Sequence, residues 1–209
     1  MDTNQGVRMS QNVDQPVYGI GELLAVAGAR AVPVVRALPD GRLADPTPCT
    51  DYDVKGLANH LLHVIVEFQK LAAKKDSDFT VTPDYVGTDP GWRERFAEET
   101  GRLAAAWSAP GAEDGTTGTM NMPARIVGSM VLLDLIVHAW DLACATGQEY
   151  RADGDAEPVV EQLAGAVAEM APTARAMGVF AEPVPVAEDA SPFERLLAAT
   201  GRDPHWVRD

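Results

Sequence analysis

The sequence predicts an all-α protein, a four-helix bundle with additional short helices toward its C-terminus, on the strength of three observations. Apolar residues recur at helical spacing in four long segments. Residues that start and stop helices bound those segments. No run of similar quality alternates apolar and polar side chains as a half-buried strand does. A chain of 209 residues, 46% hydrophobic and 23% charged, can bury one sizeable core. One domain is therefore expected over residues 14–209. Residues 1–13 are polar and aperiodic, and are expected to form a disordered tail because they offer too little apolar surface to offset the entropy of ordering.

The first helix is expected within Pro16 to Leu38, where Pro33 removes one hydrogen bond and should kink it. A Pro-rich loop then gives way to a periodic run from about Asp53 to Lys74, with Asp53 placed to accept from the first free amides. After a loop rich in Asp, Thr and Pro, Asp89-Pro90 reads as an N-cap with proline at the first helical position, opening a third helix to about Trp107. Residues 108–122 form a Gly/Thr-rich connection. Pro123 opens the longest apolar run, which stops at Gly147, a residue suited to the left-handed turn that ends a helix. A fifth helix should span about Asp155 to Met170, and Ser191 with Glu194 makes a capping box for a last short helix that stops at Gly201.

Charge narrows the function classes. A net charge of -14 and a pI near 4.6 repel phosphate backbones and anionic lipid, so neither nucleic acid nor a membrane is an expected partner. The N-terminal stretch lacks the basic start and apolar core of a secretory signal, and a cytoplasmic location is expected. Cys49 and Cys144 are the only cysteines, far apart and without CxxC spacing, which reads as two free thiols. Apolar helix faces in small bundles leave a homodimer open.

Between Met130 and Ala145 every residue is apolar or small except Asp134, His138 and Asp141. Four residues advance a helix by about 400°, which sets Asp134 and His138 side by side, roughly 6 Å apart. A buried carboxylate must pair, take a proton or coordinate a cation. Carboxylate and imidazole one turn apart suit a divalent metal, and equally suit a hydrogen bond to each other. A third ligand should come from the second helix, where His60 lies at the edge of the apolar arc of Leu57, Leu61, Val64, Phe68 and Leu71. His63 turns further away and is expected to be exposed, as is His205. Asp141 reads as the partner of an arginine or as an acceptor that orients a histidine ring. Trp92 and Trp140 read as packing residues.

The strings TPCTDYDVKGLANHL (Thr47 to Leu61), LDLIVHAWDLACATG (Leu133 to Gly147) and AEPVPVAEDASPFERLLAATGRDPHW (Ala181 to Trp206) resemble the DinB-like superfamily. More narrowly, they resemble its bacterial branch of metal-binding proteins related to the N-terminal domain of mycothiol-dependent maleylpyruvate isomerase. The resemblance runs from about Val17 to Trp206 and implies a DinB-like four-helix bundle whose metal ligands are His60, Asp134 and His138. It departs from the family at Gly56, where relatives commonly carry an acidic residue, at Tyr52, where many have Trp, and at Asp134, where the isomerase has Glu. The chain also ends without the isomerase's second domain, so the isomerase's own activity is not expected to carry over.

Three protein ligands leave a coordination position open, as in catalytic rather than structural metal sites. Zinc, with nickel or another transition metal as alternatives, could there hold water as hydroxide or a thiol as thiolate, and the resemblance favours the thiol. The leading expectation is an enzyme that directs mycothiol at an electrophilic small molecule, as transferase or isomerase. The alternatives are a thiol-independent isomerase, cyclase or hydrolase of a natural-product intermediate, and a non-catalytic metal- or ligand-binding protein. In the last case Cys49 could close the site as a fourth ligand, although a small apolar role near the start of the second helix is its simpler reading. The pocket should lie between the second and fourth helices, walled by the loops at 75–90 and 108–122. Thr119, Asn121, Met122 and Asp141 are the candidate substrate contacts, although turn formation explains Thr119 and Asn121 equally well.

Overall fold

The computed structural model describes residues 18–119 and 121–208, so the expected tail at 1–13 lies outside the described residues. Seven helices are described: α1 (Ile20–Arg36), α2 (Val54–Ala72), α3 (Tyr85–Thr88), α4 (Trp92–Trp107), α5 (Ala124–Thr146), α6 (Glu157–Ala176) and α7 (Pro192–Ala199). Two-residue strands, β1 (Thr116–Thr117) and β2 (Met122–Pro123), pair antiparallel in the connection before α5. The protein is all-α, a four-helix bundle of α1, α2, α4 and α5, with α6 and α7 added to it. Helix α1 packs on α4 and α5, α2 packs on α5 and α4, and α6 lies against α7 and α5.

Local chemistry explains most of the helix ends. Asp53 accepts the Gly56 amide at 2.7 Å and so caps α2. Gly147 takes φ 73° and closes α5, a conformation that costs glycine nothing. Ser191 and Glu194 form the reciprocal capping box of α7. Pro33 sits inside α1, which ends one turn later at Arg36.

Two boundaries differ from the sequence reading. Asp89-Pro90 does not open α4, because Asp89 is used in closing α3: its amide donates to the Tyr85 carbonyl at 2.9 Å. Its carboxylate then accepts the Gly91 amide at 2.8 Å, and α4 begins at Trp92. Helix α6 runs on to Ala176, past Met170 and through Pro172. Its extra turn buries Ala171 and brings Arg175 close enough to donate to the Ala199 carbonyl at 2.8 Å. Tertiary contact there outweighs the hydrogen bond that proline forfeits.

Helix α5 is long and apolar enough to cross a membrane, yet 83% of its most apolar stretch is buried inside the fold. It is the bundle's central rod, and His138 and Asp141 on it are held within protein.

The close approach of α1 to α4 depends on glycine. A Cβ at Gly21 would lie 2.6 Å from the Ser108 amide nitrogen and 2.8 Å from the Ala104 carbonyl oxygen, both backbone atoms that cannot step aside. Alanine gains roughly 0.5–1 kcal/mol over glycine inside a helix, but overpacking costs roughly 1–3 kcal/mol, so Gly21→Ala should destabilise on balance. Gly101 in α4 has open space around it, and Gly101→Ala should stabilise by about 0.5–1 kcal/mol. Urea titration of both variants checks the contrast; stabilisation by both would mean that α1 and α4 do not meet so closely.

Candidate metal centre

A cavity of about 310 Å³ opens beside α2 and α5, and His60, Asp134 and His138 all line it. The two imidazoles stand perpendicular, at 87°, with ring centroids 5.3 Å apart. Two histidines on one tetrahedral zinc, each with its nitrogen about 2.0–2.1 Å from the ion, bring their ring centroids to about 5 Å. The Asp134 carboxylate lies 3.8 Å from His138 Nε2, too far for a hydrogen bond and a few tenths longer than the spacing of two ligands on one ion. Asp134 accepts no hydrogen bond among the described residues, although only 30% of its side chain is exposed. Two imidazoles and an unpartnered carboxylate on one cavity wall are donor types that suit a divalent cation, although the three do not close to the 4.8 Å mutual spacing that Cys49, His138 and Asp141 reach.

Each ring has a neighbour that fixes it. His138 Nδ1 lies 2.9 Å from Asp141 Oδ2, which fixes the proton on Nδ1 and leaves the Nε2 lone pair free toward Asp134. Asp141 is fully buried and also accepts from Arg202 Nη2 at 3.4 Å. His60 stacks on Tyr52 at 4.9 Å between centroids, with its Nδ1 3.4 Å from the Tyr52 hydroxyl. Burial pushes His60 below the usual histidine pKa, opposed by Asp134 and reinforced by His138, so its neutral, ligating form prevails at pH 7. Burial also raises the Tyr52 phenol, which stays protonated.

A second trio of donors overlaps the first. Atoms of Cys49, His138 and Asp141 lie within 4.8 Å of one another and could themselves hold an ion. Two of these three donors are already engaged or hard to ionise. Asp141 is already paired with Arg202 and His138, and the Cys49 thiol is raised by burial, with Arg202 opposing and Asp141 adding. Cys49 does reach the cavity wall and remains the nearest candidate for a fourth ligand. Cys144 is pushed up to about 11 by burial and by Asp141. Alkylation of Cys144 by iodoacetamide at pH 8 should thus run on the order of a hundredfold slower than that of an exposed thiol, as peptide mass spectrometry can follow. A rate equal to the free thiol's would mean that the site is open.

Other expected residues fall in different places. Thr119 and Met122 line a neighbouring cavity together with Phe79 of the loop after α2. Asn121 is exposed, takes φ 53° and accepts from the Thr116 hydroxyl, so it serves the turn and lines neither cavity. Asp141 stands behind His138, out of substrate's reach. His63 is not exposed but buried, at 5% exposure, with Phe79 edge-on at 5.8 Å and no hydrogen-bond partner on either ring nitrogen. The loop carrying Phe79 folds over that face of α2, which a helical wheel cannot foresee. His205 is exposed, and Trp92 and Trp140 are buried packing residues.

The sequence reading missed the wall opposite α5. Phe180 and Val179, just after α6, together with Arg202 and Tyr52, complete the cavity. A buried Asp141 calls for a cationic partner, but the spacing along α5 says nothing of which arginine, 61 residues on, supplies it.

A family model of the mycothiol maleylpyruvate isomerase N-terminal domain matches residues 24–143, a span that holds His60, Asp134, His138 and Asp141. Two uncharacterised proteins of Mycobacterium tuberculosis, from strains CDC 1551 and H37Rv, are each 30% identical to this chain over 167 residues, covering 77% of it and 85% of the relative. No solved structure matches. The chain belongs to the mycothiol maleylpyruvate isomerase N-terminal domain family.

Proposed function

We propose that this member of the mycothiol maleylpyruvate isomerase N-terminal domain family is a metal-dependent enzyme that uses a low-molecular-weight thiol, mycothiol by family association, as a transferase or isomerase on an electrophilic small molecule. One observation carries the reading: two perpendicular imidazoles, 5.3 Å apart, and an unpartnered carboxylate line the same cavity. His60, Asp134 and His138 would hold the ion, zinc or another transition metal. A divalent ion held there would supply Lewis acidity and would lower the pKa of a thiol bound to it.

The chain's own residues do the rest. Asp141 keeps His138 in its ligating tautomer, and Arg202 neutralises Asp141. Tyr52, protonated and on the cavity wall, offers a hydrogen-bond donor beside His60. In transfer, sulfur bonds to the electrophilic carbon as the leaving group departs with the bonding pair. In isomerisation, sulfur adds to one end of a double bond, the resulting single bond rotates, and sulfur leaves again. This reading takes residues 14–209 as one domain and expects a cytoplasmic setting, where such thiols are found.

Isothermal titration of the metal-loaded protein with mycothiol tests it. Saturable heat and an altered cobalt spectrum are expected, and the absence of both would reject the thiol. A second reading, a non-catalytic metal-binding protein, is favoured by Cys49 at the cavity wall. If Cys49 closes the coordination sphere, Cys49→Ser should shift the cobalt spectrum of the resting protein; if the site is open, the spectrum should not change.

A further inference from the structure

A second cavity, about 280 Å³, adjoins the metal centre and shares Asp134 and Met130 with the cavity around the two histidines. Its volume is near the small end of the range for ligand pockets, roughly 300–1,000 Å³. Phe68 and Leu71 of α2, Phe79 of the following loop, Met122 of β2 and Val127 of α5 supply its walls. Among the described residues Asp134 is the only charged one lining it. The Thr117 hydroxyl is already committed to the Leu71 carbonyl at 2.6 Å. Phe79 sits half-exposed at 47%, edge-on to Phe68 at 5.6 Å, and so leaves aromatic surface in water that a bound apolar group would cover.

The two compartments are opposite in chemistry. The one around the histidines carries Arg202, Tyr52 and Asp51, whereas its neighbour offers an anion no counter-charge and an apolar group a nearly continuous surface. We infer that the electrophile carries an aryl or branched alkyl group, which lies in this second cavity while the reactive carbon meets the thiol beside Asp134. The inference rests on the proposed thiol-transfer reading. A small polyanion finds no partner in this compartment, so the substrate class is amphiphilic.

Two titrations separate the compartment from the metal. In the first, metal-free protein is titrated with 3-phenylpropanol while the methyl resonances of Met122 and Met130 are followed. Both should shift saturably. Met122→Trp, or Thr119→Phe at an exposed turn position, should fill the space and weaken binding by about tenfold, read at Met130. No saturable shift in the parent protein would overturn the inference. In the second, cobalt-loaded protein is titrated with acetohydroxamate and benzohydroxamate, which share a metal-binding group. The phenyl compound should bind about tenfold tighter, with the gain lost in Met122→Trp. Equal affinities would overturn the apolar compartment and leave the metal centre standing. A cobalt spectrum that never responds would reject the metal reading, while saturable phenylpropanol binding would still uphold the apolar cavity.

Discussion

His138→Ala should strip the protein of its metal, taking stoichiometry after dialysis from near one ion per chain to near none. His138 is the hinge of the proposed site. Its Nδ1 is fixed by Asp141 at 2.9 Å, and its Nε2 faces Asp134 at 3.8 Å. Alanine removes a ligand outright, so the loss should exceed the roughly 10–100-fold that removing a mere supporting partner costs. His60→Ala should do the same from the opposite helix. Elemental analysis of protein purified without a His tag measures the ion, and circular dichroism checks that the bundle persists. Full metal content in both variants would remove His60 and His138 from the ligand set. It would leave Cys49 and Asp141 as the donors to test next.

Asp141→Ala should destabilise the fold by about 3–5 kcal/mol, the usual cost of removing one partner of a buried ion pair. Asp141 is wholly buried, and the Arg202 side chain is only 12% exposed, so the truncation leaves a guanidinium with little water and no counter-charge. Asp141→Asn keeps the shape but weakens the hold on His138 Nδ1–H, and should lower metal affinity by about 10–100-fold with a smaller loss of stability. The double variant Asp141→Leu with Arg202→Leu should recover much of the lost stability, because replacing both charges by apolar groups is often near neutral. Urea unfolding gives all three values. A single variant Asp141→Ala within about 1 kcal/mol of the parent would mean that Arg202 finds other partners and that the pair does not brace the site.

Helix ends were legible where a side chain or a glycine closes the turn by itself, as at Asp53, Gly147 and Ser191. They were not legible where neighbours compete for the same residue. Asp89 has good N-cap chemistry, yet α3 claims it, and Pro172 should stop a helix, yet contact with α7 carries α6 past it. Loop positions fared similarly. Thr119 and Met122 line the cavity beside the one around the histidines, and Asn121 accepts from Thr116 within its own hairpin.

The sequence by itself determined the polar stripe on α5, because a helix fixes the angle between residues four and three apart whatever surrounds it. It also determined the all-α class, because apolar spacing selects the period of the backbone. Only the tertiary structure decided which face of α2 meets that stripe, that His63 is covered by Phe79, and that Arg202 returns from the far end of the chain to Asp141. Those outcomes depend on contacts between segments distant in sequence, and no local spacing encodes the direction in which a loop folds.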